Sequence, residues 1–193
     1  EIPNAFILDH LLYELGLFPY IDKESSSTKD KIRQSLFTTP QDNKKTFHIR
    51  QAEVFHRIMN GENIVLSAPT SFGKSLIIEA LVASNEFNNI VVVVPTIALI
   101  DELKKKLFKY SKKYKVITQV AQQPGDRNIF IFTQERVLEY KQFSSIDFFI
   151  IDEFYKLAPT RNNDERCDRL NLAFRNLYRK CQRFYMLGPN ISG

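Results

Sequence analysis

The chain has 193 residues, with 27 Lys and Arg against 22 Asp and Glu, two Cys and no Trp. Such a length predicts one domain with room for a small appendage, and 44 % hydrophobic with 25 % charged residues excludes wholesale disorder. Two Cys exclude a disulfide framework and a four-thiolate zinc site, and the net charge of +5 permits a polyanionic partner without requiring one.

Residues 1–45 carry an apolar helical pattern (Phe6, Ile7, Leu11, Leu12, Leu15) and then a Ser-rich break at Ser25–Thr28. Ser27 with Asp30 three residues on predicts a second short helix, which Thr38-Thr39-Pro40 ends; Gln41 to Lys45 is polar enough for a linker. From residue 46 strands and helices alternate. Strands are expected at Ile64–Ser67, Ile90–Val94, Lys115–Ala121, Asn128–Phe132, Ile146–Ile151 and Phe184–Leu187. Helices are expected at Lys74–Phe87, Ile97–Lys113, Arg136–Gln142 and Asp164–Cys181. The β-branched run Ile90–Val94 suits a strand buried on both faces, and repeated β-then-α units predict an α/β fold, a parallel sheet covered by helices. Cys167 and Cys181 lie ~21 Å apart along one helix, too far for a disulfide, and read as core residues.

The longest apolar run is cut by Pro95 and falls far short of the ~20 residues that span a bilayer. Residues 6–17 contain Asp9, His10 and Glu14 and have no basic leader. No membrane partner and a cytoplasmic location are therefore expected. The absence of an initial Met and the ending at Asn190-Ile191-Ser192-Gly193 suggest a piece of a longer protein.

The segment Ser67-Ala68-Pro69-Thr70-Ser71-Phe72-Gly73-Lys74-Ser75 follows one predicted strand and opens a predicted helix. A loop in that setting cradles phosphates with backbone N–H groups and the positive end of the helix. Lys74 can reach β- and γ-phosphates, and the Ser75 hydroxyl is a hard ligand for Mg²⁺. Seventy-seven residues after Ser75, Phe148–Ile151 runs into Asp152-Glu153. Carboxylates at the C-terminal end of a central strand lie where open α/β sheets bind ligands. Asp152 can hold the Mg²⁺ and Glu153 can orient and deprotonate the attacking water.

Together these motifs resemble the N-terminal RecA-like lobe of a superfamily 2 helicase, over about residues 46–193, with the Ski-like DExH branch nearest. Ala68–Ser75 is similar to motif I, Asp152-Glu153-Phe154-Tyr155 to the DEAD or DEAH box, and Pro95-Thr96 with the following Ile97–Glu102 to motif Ia. Gly125-Asp126 and Thr133-Gln134-Glu135 resemble strand-contacting motifs. Gln51, seventeen residues before Ala68, resembles the adenine-reading glutamine. The resemblance implies ATP and Mg²⁺ as cofactors, nucleic acid as partner and a second RecA-like lobe in the full-length chain. Two departures stand out. Leu187-Gly188-Pro189-Asn190 occupies the coupling motif usually written S-A-T, with Asn190 as a substitute hydrogen-bonding group, and Phe154-Tyr155 is bulkier than the usual pair.

Several residues keep two readings. Gln51 is an adenine ligand or a surface helix residue, and Phe47 packs on a base or starts a helix in the core. Thr96 and Thr133 hold a backbone phosphate or simply cap helices. Lys104, Lys105, Lys106, Lys109, Lys112, Lys113 and Lys115 attract nucleic acid or form a solvated face. The function expected is the ATP-binding and hydrolysing lobe of a nucleic-acid helicase. The alternatives are a translocase subunit of a restriction or antiphage defence system, a P-loop kinase or switch, and a non-catalytic scaffold.

Overall fold

The computed structural model describes residues 11–12, 14–16, 37–40, 42–143, 145–158 and 165–189. Ser27, Asp30 and Asn190 lie outside the described residues, as does most of the expected N-terminal helical stretch. In chain order the elements are β1 (Thr38–Thr39), β2 (Asp42–Thr46), α1 (Ile49–Met59), β3 (Ile64–Ser67), α2 (Lys74–Ala83), β4 (Asn89–Val93), α3 (Ile97–Leu107), β5 (Lys115–Ile117), β6 (Asn128–Phe132), α4 (Gln134–Glu139), β7 (Phe148–Asp152), α5 (Glu165–Lys180) and β8 (Phe184–Gly188). The stretch expected to be a linker is instead strand β2, which pairs antiparallel with β1 across the Pro40 turn.

The remaining six strands form one parallel sheet in the order β3-β8-β7-β4-β6-β5. β4 and β6 are buried along their whole length, each with four apolar residues following a buried Asn, Asn89 or Asn128. Because side chains alternate across a strand, each central strand serves two cores. Ile90, Val92, Ile129, Ile131, Phe148 and Ile150 face one layer, where Phe55 of α1, Ile77 and Leu81 of α2, and Leu103 of α3 pack. Val91, Val93, Phe130, Phe132, Phe149 and Ile151 face the other, against Val137 of α4 and Leu170, Ala173 and Leu177 of α5. Both Cys are buried, in α5 or at its end, and neither is in a disulfide.

All six parallel strands end at the same edge. Ser67 is level with Gly188, Asp152 with Leu187, and Val93 with both Phe132 and Ile151. The opposite edge is closed by an amide network. Asn128 Nδ2 donates to Asn89 Oδ1 at 2.7 Å, and the Asp147 carboxylate accepts from the N–H groups of Asn88 and Asn89. Among the described residues no helix is long and apolar enough to cross a membrane.

Candidate functional site

β3 hands over to α2 through Ala68–Gly73. Residues Thr70–Phe72 make one 3₁₀ turn, closed by Phe72 N–H donating to Pro69 O at 3.0 Å. Gly73 then adopts φ +76°, ψ +36°, the left-handed region that glycine enters without steric cost. A Cβ there would lie 2.6 Å from Gln51 Nε2. The turn aims Lys74 back across the loop, and its ammonium donates to Ala68 O at 2.6 Å and Gly188 O at 2.8 Å. The lysine thus bridges the ends of β3 and β8. The same two strands are tied by Ala68 N–H to Gly188 O at 3.2 Å and by Ser67 Oγ–H to Pro189 O at 2.9 Å.

Gln51 is buried and committed to this loop. Its Nε2 donates to Phe72 O at 2.6 Å, and its Oε1 accepts the His48 N–H at 2.9 Å, capping α1. It is therefore not a surface helix residue. Phe47 is fully buried against Phe55, with ring centroids 5.3 Å apart, so the core reading holds for it and base stacking does not.

Asp152 and Lys74 line one cleft of about 190 Å³, whose walls include Ser75, Leu99, Glu102 and Lys106. The Asp152 carboxyl is held above its ordinary pKa, first by burial and then by the neighbouring Glu153 charge, while the Glu153 N–H and then Lys74 and Lys156 pull it down less strongly. Asp152 Oδ1 also accepts the Glu153 N–H at 2.9 Å. Glu153 itself sits at φ +60°, ψ +46°, an uncommon conformation for a side-chain-bearing residue, and its carboxylate pairs with Lys156. The donor set suits Mg²⁺. One hydroxyl (Ser75) and one carboxylate (Asp152) border the same cleft, and the described residues hold no cluster of three or more His, Cys, Asp or Glu that would cage an ion alone. Mg²⁺ takes one or two protein oxygens and fills its octahedron with phosphate and water.

Pro95, Thr96, Thr133, Gln134 and Glu135 follow β4 and β6 at this same edge. Thr96 is exposed and caps α3, its Oγ1 accepting the Leu99 N–H at 3.3 Å. Thr133 precedes α4 and is buried, as is Gln134, whose amide donates to Glu135 Oε1 at 2.9 Å. A small cavity touches Pro95 and Gln134 on one side and Asp152 and Lys156 on the other. The structure does not bring Gly125 and Asp126 here. They precede β6, and Gly125 N–H donates to Asn128 Oδ1 at 2.7 Å, within the amide network of the opposite edge. The five residues of β6 separate the two edges by ~16 Å.

Three contacts lie outside the motif reading: Lys106 Nζ donates to Ser75 Oγ at 2.9 Å, Lys156 pairs with Glu153, and Phe154 packs on Gly188. For Lys106 a signal existed. The helical period that turns Leu99 and Leu103 inward places residue 106 on the same face.

A family model described as DEAD/DEAH box helicase matches residues 48–186. Anti-bacteriophage protein B of Escherichia coli (strain K12) is 39 % identical over 200 residues, covering 98 % of this chain but only 27 % of that protein. A solved structure, the Sulfolobus solfataricus SWI2/SNF2 ATPase core in complex with dsDNA, matches with a TM-score of 0.56 over 81 % of this chain and 33 % of that one. At 16 % identity it speaks for the fold alone, a RecA-like parallel sheet flanked by helices. The family match runs from the cap of α1 into β8 and takes in both the phosphate loop and the acidic pair: the chain belongs to the DEAD/DEAH box helicase family.

Proposed function

We propose that residues 46–193 are the ATP-binding and hydrolysing lobe of a nucleic-acid motor, with residues 1–45 as an N-terminal extension. The observation that carries this is the shared cleft of Lys74, Ser75 and Asp152, built from two loops 77 residues apart. Lys74 would exchange its two carbonyl partners for phosphate oxygens, and the loop N–H groups would surround the chain of phosphates. Ser75 and Asp152 would hold Mg²⁺, which supplies charge neutralisation on the β- and γ-oxygens when bound. Glu153, released from Lys156, would take a proton from the attacking water. A preference for adenine would use the amide hydrogen and lone pair of Gln51 that its loop contacts leave over. Thr96 and the first turns of α3 and α4 would meet backbone phosphates, with a second RecA-like lobe closing the site. The motif residues favour the Ski-like branch for this motor.

Calorimetry with Mg·ATP tests the reading. The parent chain should bind, Lys74→Ala should lose binding at least tenfold, and Glu153→Gln should keep binding while losing hydrolysis. Equal heats for parent and Lys74→Ala would overturn it. A second reading, a translocase of an antiphage defence system, is favoured by the 39 % identity to Anti-bacteriophage protein B. It predicts ATP hydrolysis by the longer protein that is stimulated by duplex DNA without strand separation.

A further inference from the structure

The lysine run of α3 is not all turned to solvent. Lys106 Nζ donates to Ser75 Oγ, and one turn further on, in the 3₁₀ turn that follows α3, Lys109 pairs with the buried carboxylate of Glu79. Ser75 and Glu79 are four residues apart on α2, so the two contacts are successive rungs between helices lying side by side. The Lys109 rung fixes the pair, and the Lys106 rung falls on the one hydroxyl that Mg²⁺ would take. This inference rests on the function proposed above. With Ser75 Oγ about 2.0–2.1 Å from a magnesium ion, an ammonium on the same oxygen would set charges of one and two units side by side in a half-buried cleft. Like charges at that range repel strongly where solvent screening is reduced. Lys106 therefore has to let go when the metal binds, and the cleft offers it another partner. Glu102 lines the same cleft and precedes Lys106 by four residues, the order in which a Glu–Lys pair on a helix is favourable.

We propose that Lys106 competes with the divalent cation for Ser75, exchanging the Ser75 hydroxyl for the Glu102 carboxylate as Mg·ATP binds. The metal requirement of nucleotide binding would then be set by two α3 residues that touch neither the loop backbone nor the acidic pair. The test is ATP calorimetry on the 193-residue chain across a Mg²⁺ series, reading the half-saturating Mg²⁺ concentration. Lys106→Met should lower that concentration several-fold, and Glu102→Gln should raise it. Lys106→Gln keeps a donor without the charge and should fall between parent and Lys106→Met. Suppose the parent binds, Lys74→Ala does not, and the α3 variants stay within twofold of parent or move in the same direction. The competition is then overturned while the nucleotide reading stands. A lowered melting temperature with an unchanged Mg²⁺ requirement overturns it equally, since a packing rung gives that result. If the parent takes up no ATP at any Mg²⁺ concentration, both readings fail together.

Discussion

Asp152 is the last residue of β7, level with Leu187 of β8, and burial there disfavours its charge. Glu153 adds like-charge repulsion, and the Glu153 N–H, Lys74 and Lys156 together offset only part of the rise. The sign for stability follows directly. A carboxyl whose folded pKa lies above its unfolded 3.8 binds more protons folded than unfolded between the two values. Stability therefore falls as pH rises through that window and stays lower above it. Asp152→Asn keeps the oxygen that accepts the Glu153 N–H and removes the charge. It should melt higher than the parent at pH 7, with the difference shrinking as pH drops through the carboxylate range, while Mg-dependent ATP binding is lost. Differential scanning calorimetry at pH 4 and pH 7 measures it, and a lower melting temperature at pH 7 would contradict the balance described here. Gly73 was legible at the same scale, because a loop that opens a helix at φ +76° needs glycine. The left-handed conformation of Glu153 was not, since nothing in its sequence neighbourhood marks it.

The strands were readable where local composition alone decides them. β3 and β6 fall on the residues expected, and β4, β7 and β8 shift by a residue or two at their ends. β5 stops at Ile117 because the Thr118 and Gln119 N–H groups both donate to Gln122 Oε1, turning the chain before it can pair further. α3 gives way to a 3₁₀ turn at Phe108, short of the predicted Lys113. What no window of sequence shows is which departures answer one another. The bulky Phe154 after the acidic pair and the glycine in the coupling segment look like two separate losses, yet a Cβ on Gly188 would lie 2.9 Å from Phe154 Cε1. The larger ring fills the space that the missing side chain leaves. Gly188→Ala should therefore cost about 1–3 kcal/mol by overpacking, and Phe154→Leu in the same chain should recover part of it. Urea denaturation of the two single variants and the double variant gives the coupling energy; strictly additive losses would mean that the ring and the glycine do not answer each other.

Across the whole molecule the parallel sheet separates two edges of different character, and the chain carries a net charge of +5. Two lysines of the densest run reach α2, Lys109 while still half-exposed, and Lys104, Lys105, Lys112, Lys113 and Lys115 are exposed. Thr96 opens the same helix with an uncharged hydroxyl and helix N–H groups. These two kinds of contact differ in how salt affects them. Each cation that neutralises a phosphate of a single strand releases a counterion and contributes about −0.7 to the slope of log K against log salt. A hydroxyl releases none. Lys104→Ala with Lys105→Ala should therefore flatten the slope for a fluorescent single-stranded oligonucleotide by about 1.4 if both lysines touch phosphate. Thr96→Ala should lower affinity by a similar factor at every salt concentration, leaving the slope in place. Anisotropy titrations at several concentrations between 50 and 200 mM NaCl read both quantities on one plot. An unchanged slope in the double lysine variant would assign the exposed face of α3 to solvent and leave the strand to the edge where β4 and β6 end.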